Sequence, residues 1–171
     1  IKWFSLIRIT GLLLVLLYHF FQTVFPGGFF GVDVFFTFSG FLITSLLLEE
    51  FEQKSKIDIL GFFRRRFYRI FPPVVLMVLV VMPFTFLVRQ DYVAGIGGQI
   101  AGVLGFMTNF YEMLTGGSYE SQFIPHLFVH NWSLAVEVHY YVLWGLAVWF
   151  LAKRAKTSGQ LRGMIFLLSS A

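Results

Sequence analysis

Five apolar stretches take up most of this chain, and each is close to the ~20 residues that an α-helix needs to cross a bilayer. Of the 171 residues, 57% are hydrophobic and only 13% are charged. Soluble domains carry about 25% charged residues, so water is the wrong solvent for this composition. The sequence therefore predicts an all-α, polytopic integral membrane protein with helices at Trp3–Phe25, Phe29–Leu48, Phe71–Val88, Ala94–Leu114 and Trp132–Ala152.

The basic residues lie in two stretches between apolar segments, which is typical of cytoplasmic loops rather than of a nucleic-acid-binding surface. They place residues 49–70 and 152–163 in the cytoplasm. Three apolar stretches separate these loops, so either one of the three does not cross the membrane or the positive-inside rule fails locally. We expect segment 94–114 to be re-entrant or strongly tilted because it is rich in glycine, although small residues also let membrane helices approach closely.

The chain starts at Ile1 and stops at "RGMIFLLSSA", which resembles the opening of another apolar segment. We therefore expect residues 1–171 to be a truncated fragment of a larger membrane bundle. The sequence has no cysteine, which excludes thiol catalysis and disulfides.

Ionisable side chains inside membrane segments are functional candidates, because burying a charge in the bilayer costs several kcal/mol. Arg8 and His19 are 11 residues apart, so they share one helix face about 16 Å apart. Arg8 either reaches the cytoplasmic interface or supports a site. His19 is either a structural hydrogen-bonding group or a proton-transfer residue.

Asp33 begins a narrow polar and small stripe with Thr37, Gly40 and Thr44 on a phenylalanine-rich helix. The short turn before this helix predicts an antiparallel hairpin that brings Asp33 to a depth similar to that of His19. A carboxylate beside an imidazole would orient the ring and raise its basicity. A purely structural hydrogen bond remains the alternative.

The stretch "FFRRRFYRIFPP" places a cluster of arginines before a helix expected to start near Pro72 and Pro73. Arg66 and Arg69 are three residues apart and share a helix face. Guanidinium groups bind phosphate oxygens well, which suggests a phosphorylated cofactor, although contacts with anionic lipid explain the same residues.

The stretch "HNWSLAVEVHYY" opens the last complete helix and carries Glu137 and Tyr141 on one face. Its aromatic residues could form an interfacial belt, which does not explain Glu137. His126, His130 and His139 show no convincing ligand spacing, so we expect no metal site and treat His126 and His130 as loop residues.

Together these blocks resemble the acyltransferase 3 family of bacterial membrane proteins. The resemblance rests on "RITGLLLVLLYHF", "GGFFGVDVFFTFSGFLIT", the approach "LLLEEF", the R-x-x-R pair in "RRRFYRIFP", and "NWSLAVEVHYYVLW". Tyr140 stands where the family commonly has phenylalanine.

The resemblance implies transfer of an acyl group, usually acetyl from acetyl-CoA, to a hydroxyl of a cell-envelope glycan such as peptidoglycan. It implies that His19 is catalytic with support from Arg8, and that Arg66 and Arg69 hold the CoA phosphates. Glu137 would give structural or catalytic support, and Asp33 would be the partner of His19 or the organiser of its hairpin. The pantetheine arm of CoA could then span the distance from Arg66 and Arg69 at the inner face to His19 toward the outer face.

The peptidoglycan O-acetyltransferase type fits best, and it places the protein in the bacterial cytoplasmic membrane. It also implies an extracytoplasmic esterase-like domain or partner downstream. Two other readings stay open: a transporter or flippase component with an intramembrane proton or substrate path, and an inactive fragment.

Overall fold

The computed structural model describes residues 2–21, 23–87, 93–115 and 126–170, with the backbone alone at residues 2–5, 8 and 86. These residues form α-helices joined by short turns, and no strand occurs among them, which confirms the all-α prediction. The helices are α1 (Lys2–Phe20), α2 (Phe30–Lys54), α3 (Ile59–Val81), α4 (Ile96–Leu104), α5 (Thr108–Thr115), α6 (Trp132–Ala152) and α7 (Ser158–Ser169), with 3₁₀ turns at Pro26–Phe29, Met82–Leu87 and Val129–Asn131.

In the part of the chain that the structure describes, three helical stretches are long and apolar enough to cross a membrane: Pro26–Lys54, Ile59–Thr85 and Val129–Ala152. Helix α1 adds a shorter apolar stretch, Ile9–Phe20. These helices confirm the prediction of a polytopic helical membrane protein. The side of the membrane on which each loop lies stays a prediction.

Helix α3 begins earlier than the sequence suggested. We expected a start near Pro72 and Pro73, but the helix begins at Ile59 and continues through both prolines. The side chain of Asp58 caps its first turn by accepting a hydrogen bond from the Gly61 N–H at 3.0 Å. The arginine cluster therefore lies on the helix rather than in the preceding loop.

The segment predicted at Ala94–Leu114 is broken into α4 and α5. Phe106, between them, has a φ of 54°, a left-handed conformation that interrupts a helix. The two pieces have 9 and 8 residues, so neither is long enough to cross a bilayer alone. This agrees with the expectation that the segment is not a single straight span, while re-entry itself stays a prediction.

The chain forms two compact units, residues 1–56 with 151–171 and residues 57–150. In the first unit, α1 and α2 form a hairpin, and α2 also packs against α7. The buried apolar side chains of these two helices are Ile43, Leu47 and Phe51 on α2 and Leu161 and Ile165 on α7.

The second unit contains α3, α4, α5 and most of α6. Its core includes Val74 and Val78 from α3, Val103 from α4, and Phe128 from the segment before α6. These apolar contacts hold α4 against the long α3, and α5 packs against α4.

Candidate active site

The α1–α2 hairpin carries the first group of candidate residues, and glycines hold its two helices in backbone contact. A Cβ at Gly31 would lie 2.5 Å from the carbonyl oxygen of Gly11, and one at Gly28 would lie 2.7 Å from the Cβ of Tyr18. Neither position leaves room for a side chain. Small residues let these two helices approach closely.

His19 lies in the last turn of α1 with an exposed side chain. Its Nδ1 is 2.8 Å from the carbonyl oxygen of Val15. A carbonyl oxygen only accepts hydrogen bonds, so Nδ1 must carry the proton of the neutral ring. The Nε2 lone pair is then the basic site of the imidazole, which is the arrangement a general base requires.

Asp33 lies in the first turn of α2 with an exposed side chain. The contact of Gly31 with Gly11 sets the hairpin register and places the turn of Asp33 near Gly11, roughly 12 Å along α1 from His19. The partner of Nδ1 in the structure is the Val15 carbonyl, and the pairing of Asp33 with His19 stays a prediction. The positive end of the α2 dipole gives an electrostatic reason for an acid at this position.

The Arg8 side chain lies outside the described residues, although its backbone is part of α1. Its predicted supporting role stays a prediction.

Helices α3 and α6 carry the second group. They approach closely at Gly145 of α6, where a Cβ would lie 3.2 Å from the ring of Phe62 and 3.4 Å from that of Phe63. One turn away on each helix, the guanidinium carbon of Arg66 lies 5.6 Å from the ring centres of both Phe62 and Tyr141. Arg66 is therefore held between two aromatic rings.

Tyr141 connects this cation to an acid. Its ring is buried, and its hydroxyl donates a hydrogen bond to Oε1 of half-buried Glu137, one turn earlier on α6. Arg66, Tyr141 and Glu137 thus form one polar cluster between two apolar helices. Glu137 therefore accepts a hydrogen bond from the same ring that Arg66 contacts, while its role stays a prediction.

The guanidinium carbon of Arg66 lies over both rings, and the group carries five N–H donors. This arrangement suits a residue that presents N–H donors to phosphate oxygens. Arg69 lies one turn further along α3 with an exposed side chain.

One polar pair was missed by the sequence analysis. His126, which we treated as a loop residue, has its Nδ1 2.8 Å from Oε2 of buried Glu112. Fourteen residues separate the two, and no local spacing indicates the contact. Among the described residues, no group of three or more His, Asp or Glu side chains could hold a metal ion.

Comparison with known proteins now identifies the family. A sequence profile described as an acyltransferase domain, that of the acyltransferase 3 family, matches residues 1–170. The chain belongs to the acyltransferase 3 family. The predicted resemblance is thereby confirmed, and His19, Arg66 and Glu137 occupy the motif positions on which it rested.

Two relatives of this acyltransferase 3 chain come from Staphylococcus aureus. The O-acetyltransferase OatA of strain NCTC 8325 / PS 47 is 35% identical over 142 residues, which cover 83% of this chain and 24% of the relative. The putative O-acetyltransferase SACOL0978 of strain COL is 34% identical over 136 residues, which cover 80% and 22%. The chain thus spans about a quarter of the length of these curated relatives. No solved structure matches it.

Proposed function

We propose that this chain is part of a membrane-bound O-acyltransferase that moves an acetyl group from acetyl-CoA at the cytoplasmic side to a hydroxyl of a cell-envelope glycan such as peptidoglycan. The observation that supports this most is the His19 geometry in a chain of this family. A hydrogen bond from Nδ1 to the Val15 carbonyl leaves the lone pair on Nε2.

In this proposal, Nε2 of His19 removes the proton from the acceptor hydroxyl as its oxygen attacks the thioester carbonyl of the donor. The tetrahedral intermediate then collapses and the C–S bond breaks. The imidazolium gives its proton to the CoA sulfur, which leaves as the thiol. General-base catalysis of this kind contributes about 10²–10⁴-fold to rate.

Arg66 and Arg69 bind the phosphates of CoA. The two rings around Arg66 restrict its side chain, so less freedom is lost when a phosphate binds. Glu137 holds the Tyr141 ring and acts as a positioning residue for Arg66.

The test is transfer of labelled acetyl from acetyl-CoA to envelope material in membranes that contain the protein. His19→Ala should lower transfer at least about 100-fold at equal expression. The matched control is His139→Gln, since this half-buried histidine contacts the ring of Phe110 at 5.5 Å and has no role in the proposed chemistry. Full transfer by His19→Ala would contradict the proposal, and no CoA-dependent transfer by the parent would reject an acyl-CoA donor.

A further inference from the structure

Two aromatic side chains of α6, Tyr140 and Trp144, form a flat surface that the proposed chemistry does not use. Their rings are nearly parallel, with 13° between the planes and 5.8 Å between the centres. The two residues are four positions apart and so lie one turn from each other on one flank of the helix. Tyr140 is 37% exposed, which leaves part of this surface, the α6 ring pair, accessible to a ligand.

The packing of α3 against α6 fixes where the α6 ring pair lies. Gly145 packs against Phe62, and one turn away Tyr141 contacts Arg66, so the two helices run antiparallel. Each member of the ring pair comes one residue before a residue of this contact, which is a rotation of about 100° around the helix axis. The α6 ring pair therefore borders the α3–α6 contact along one edge.

Arg69 borders the same edge from the side of α3. It follows Arg66 by three residues, which is equivalent to a backward rotation of about 60°. In two antiparallel right-handed helices, the flanks reached by backward rotation from the contact lie on the same side. Two arginines and two parallel rings thus share one edge of the helix pair, with Arg66 in the contact and Arg69 beside it.

A second stacked pair, Phe67 and Phe71 on α3, lies on the opposite edge. Its ring centres are 4.7 Å apart with 17° between the planes. Phe67 follows Arg66 by one residue, so its rotation of about 100° has the opposite sense to that of Arg69. Phe71 also contacts the ring of Phe106, 6.4 Å away at 63°. Only the α6 ring pair combines parallel rings with the arginine edge among these two pairs.

Arginines beside flat rings match the nucleotide part of CoA. One ribose joins the adenine base to the phosphate groups of CoA, so the base binds within the length of one sugar from the phosphates. Nucleic-acid bases stack on exposed aromatic side chains, and each stacked base strengthens binding about tenfold or more. Membership of an interfacial aromatic belt is the other explanation of these rings, and it predicts no preference for a nucleotide.

We propose that Tyr140 and Trp144 bind the adenine ring of the acyl-CoA donor by stacking, next to the arginines that bind its phosphates. The α6 ring pair then determines donor specificity, because it favours a donor that carries adenosine over one that ends at the pantetheine phosphate. This inference rests on the proposed acyl-CoA donor. Direct binding tests it without requiring acetyl transfer.

The test is equilibrium binding of radiolabelled CoA to the purified protein in detergent. Phosphopantetheine, which has the same thiol arm but lacks adenosine, is measured as its competitor. Tyr140→Leu should weaken the binding of CoA about tenfold and leave that of phosphopantetheine nearly unchanged. Tyr140→Phe keeps the ring and should bind CoA as the parent does.

The matched control is Phe67→Leu, which removes an exposed stacked ring from the opposite edge and should leave the binding of both ligands unchanged. Trp144→Leu removes the other ring of the pair, and it should give the same selective loss if Tyr140→Leu does not fold. Equal weakening of both ligands by Tyr140→Leu would show that the ring acts through the fold and would overturn the proposal. Unchanged CoA binding in Tyr140→Leu, or an equal loss in Phe67→Leu, would also overturn it.

Two results separate this inference from the proposed function. CoA binding that depends on Tyr140, in a protein that transfers no acetyl group, would support the adenine site and reject the acyltransferase mechanism. Acetyl transfer by Tyr140→Leu with the KM of the parent for acetyl-CoA would support the mechanism and overturn the adenine site.

Discussion

The α1–α2 hairpin and the α3–α6 pair pack their helices together in different ways. In the hairpin, glycine lets one backbone touch another, and the ionisable residues His19 and Asp33 lie exposed beside the contact. In the α3–α6 pair, aromatic rings fill the gap, and the ionisable residues Arg66 and Glu137 are joined through the Tyr141 ring.

The difference suggests a division of labour. The hairpin fixes the position of its backbone and uses a backbone carbonyl to set the protonation of one imidazole. The α3–α6 pair places the Arg66 cation against the rings of Phe62 and Tyr141. In the proposed enzyme, the hairpin supplies proton transfer and the pair supplies donor binding.

The largest expected effect is in the hairpin. Gly31→Ala would place a Cβ against the rigid backbone of α1 at Gly11, so the helices must separate. We predict a loss of about 3 kcal/mol in the free energy of unfolding, at the upper end for overpacking. Chemical unfolding in detergent micelles, followed by circular dichroism, measures it.

Two other glycines serve as controls for this substitution. Gly145→Ala meets side-chain atoms of Phe62, Phe63 and Ile59, which can shift, so we expect a cost of about 1 kcal/mol. Gly97→Ala on α4 has open space around its Cβ and should be neutral or stabilising by up to ~1 kcal/mol. If Gly31→Ala and Gly145→Ala lowered the free energy of unfolding equally, a contact with backbone would be no more restrictive than a contact with side chains.

The next effect concerns the α3–α6 pair. Tyr141→Phe keeps the ring beside Arg66 but removes the hydroxyl that donates to Glu137. Loss of a hydrogen bond to a charged group should destabilise the protein by about 1.5–3 kcal/mol in the same unfolding assay. The matched variant Tyr140→Phe alters an exposed residue that stacks on Trp144, and it should cost little. A Tyr141→Phe protein as stable as Tyr140→Phe would show that this hydrogen bond does not hold the cluster.

The smallest effect belongs to an exposed ion pair in the first unit. Arg162 of α7 donates to Glu52 near the end of α2. Because both side chains are exposed to solvent, Glu52→Gln should cost no more than about 0.5 kcal/mol, and less in high salt. A cost as large as that of Tyr141→Phe would mean that this pair is far better shielded than its exposure indicates.

The sequence predicted those features that depend on residues close together along the chain. The apolar lengths predicted the helical membrane fold, and the turn at Pro26–Gly28 predicted the hairpin with His19 near its end. The start of α3 was wrong because two prolines were given more weight than the Asp58 cap, although the cap was present in the sequence.

Contacts between distant segments could not be predicted in this way. Glu112 and His126 are 14 positions apart, and Arg66 and Tyr141 are 75 positions apart. Hydrophobic periodicity reports which residues share a face of one helix, and it does not show which distant residue that face contacts. The expected Asp33–His19 contact stays a prediction for a related reason. Similar depth on two helices does not fix register, which the glycine contacts determine.

The most direct test of the central claim is a steady-state comparison of His19→Ala and Arg66→Lys with acetyl-CoA as the varied substrate. His19→Ala should lower kcat at least about 100-fold with KM for acetyl-CoA nearly unchanged. Arg66→Lys should raise that KM about tenfold with a smaller change in kcat, because lysine keeps the charge but loses the planar fork. The reverse pattern, or a KM effect from His19→Ala alone, would contradict the assignment of proton transfer to the hairpin and donor binding to the α3–α6 pair.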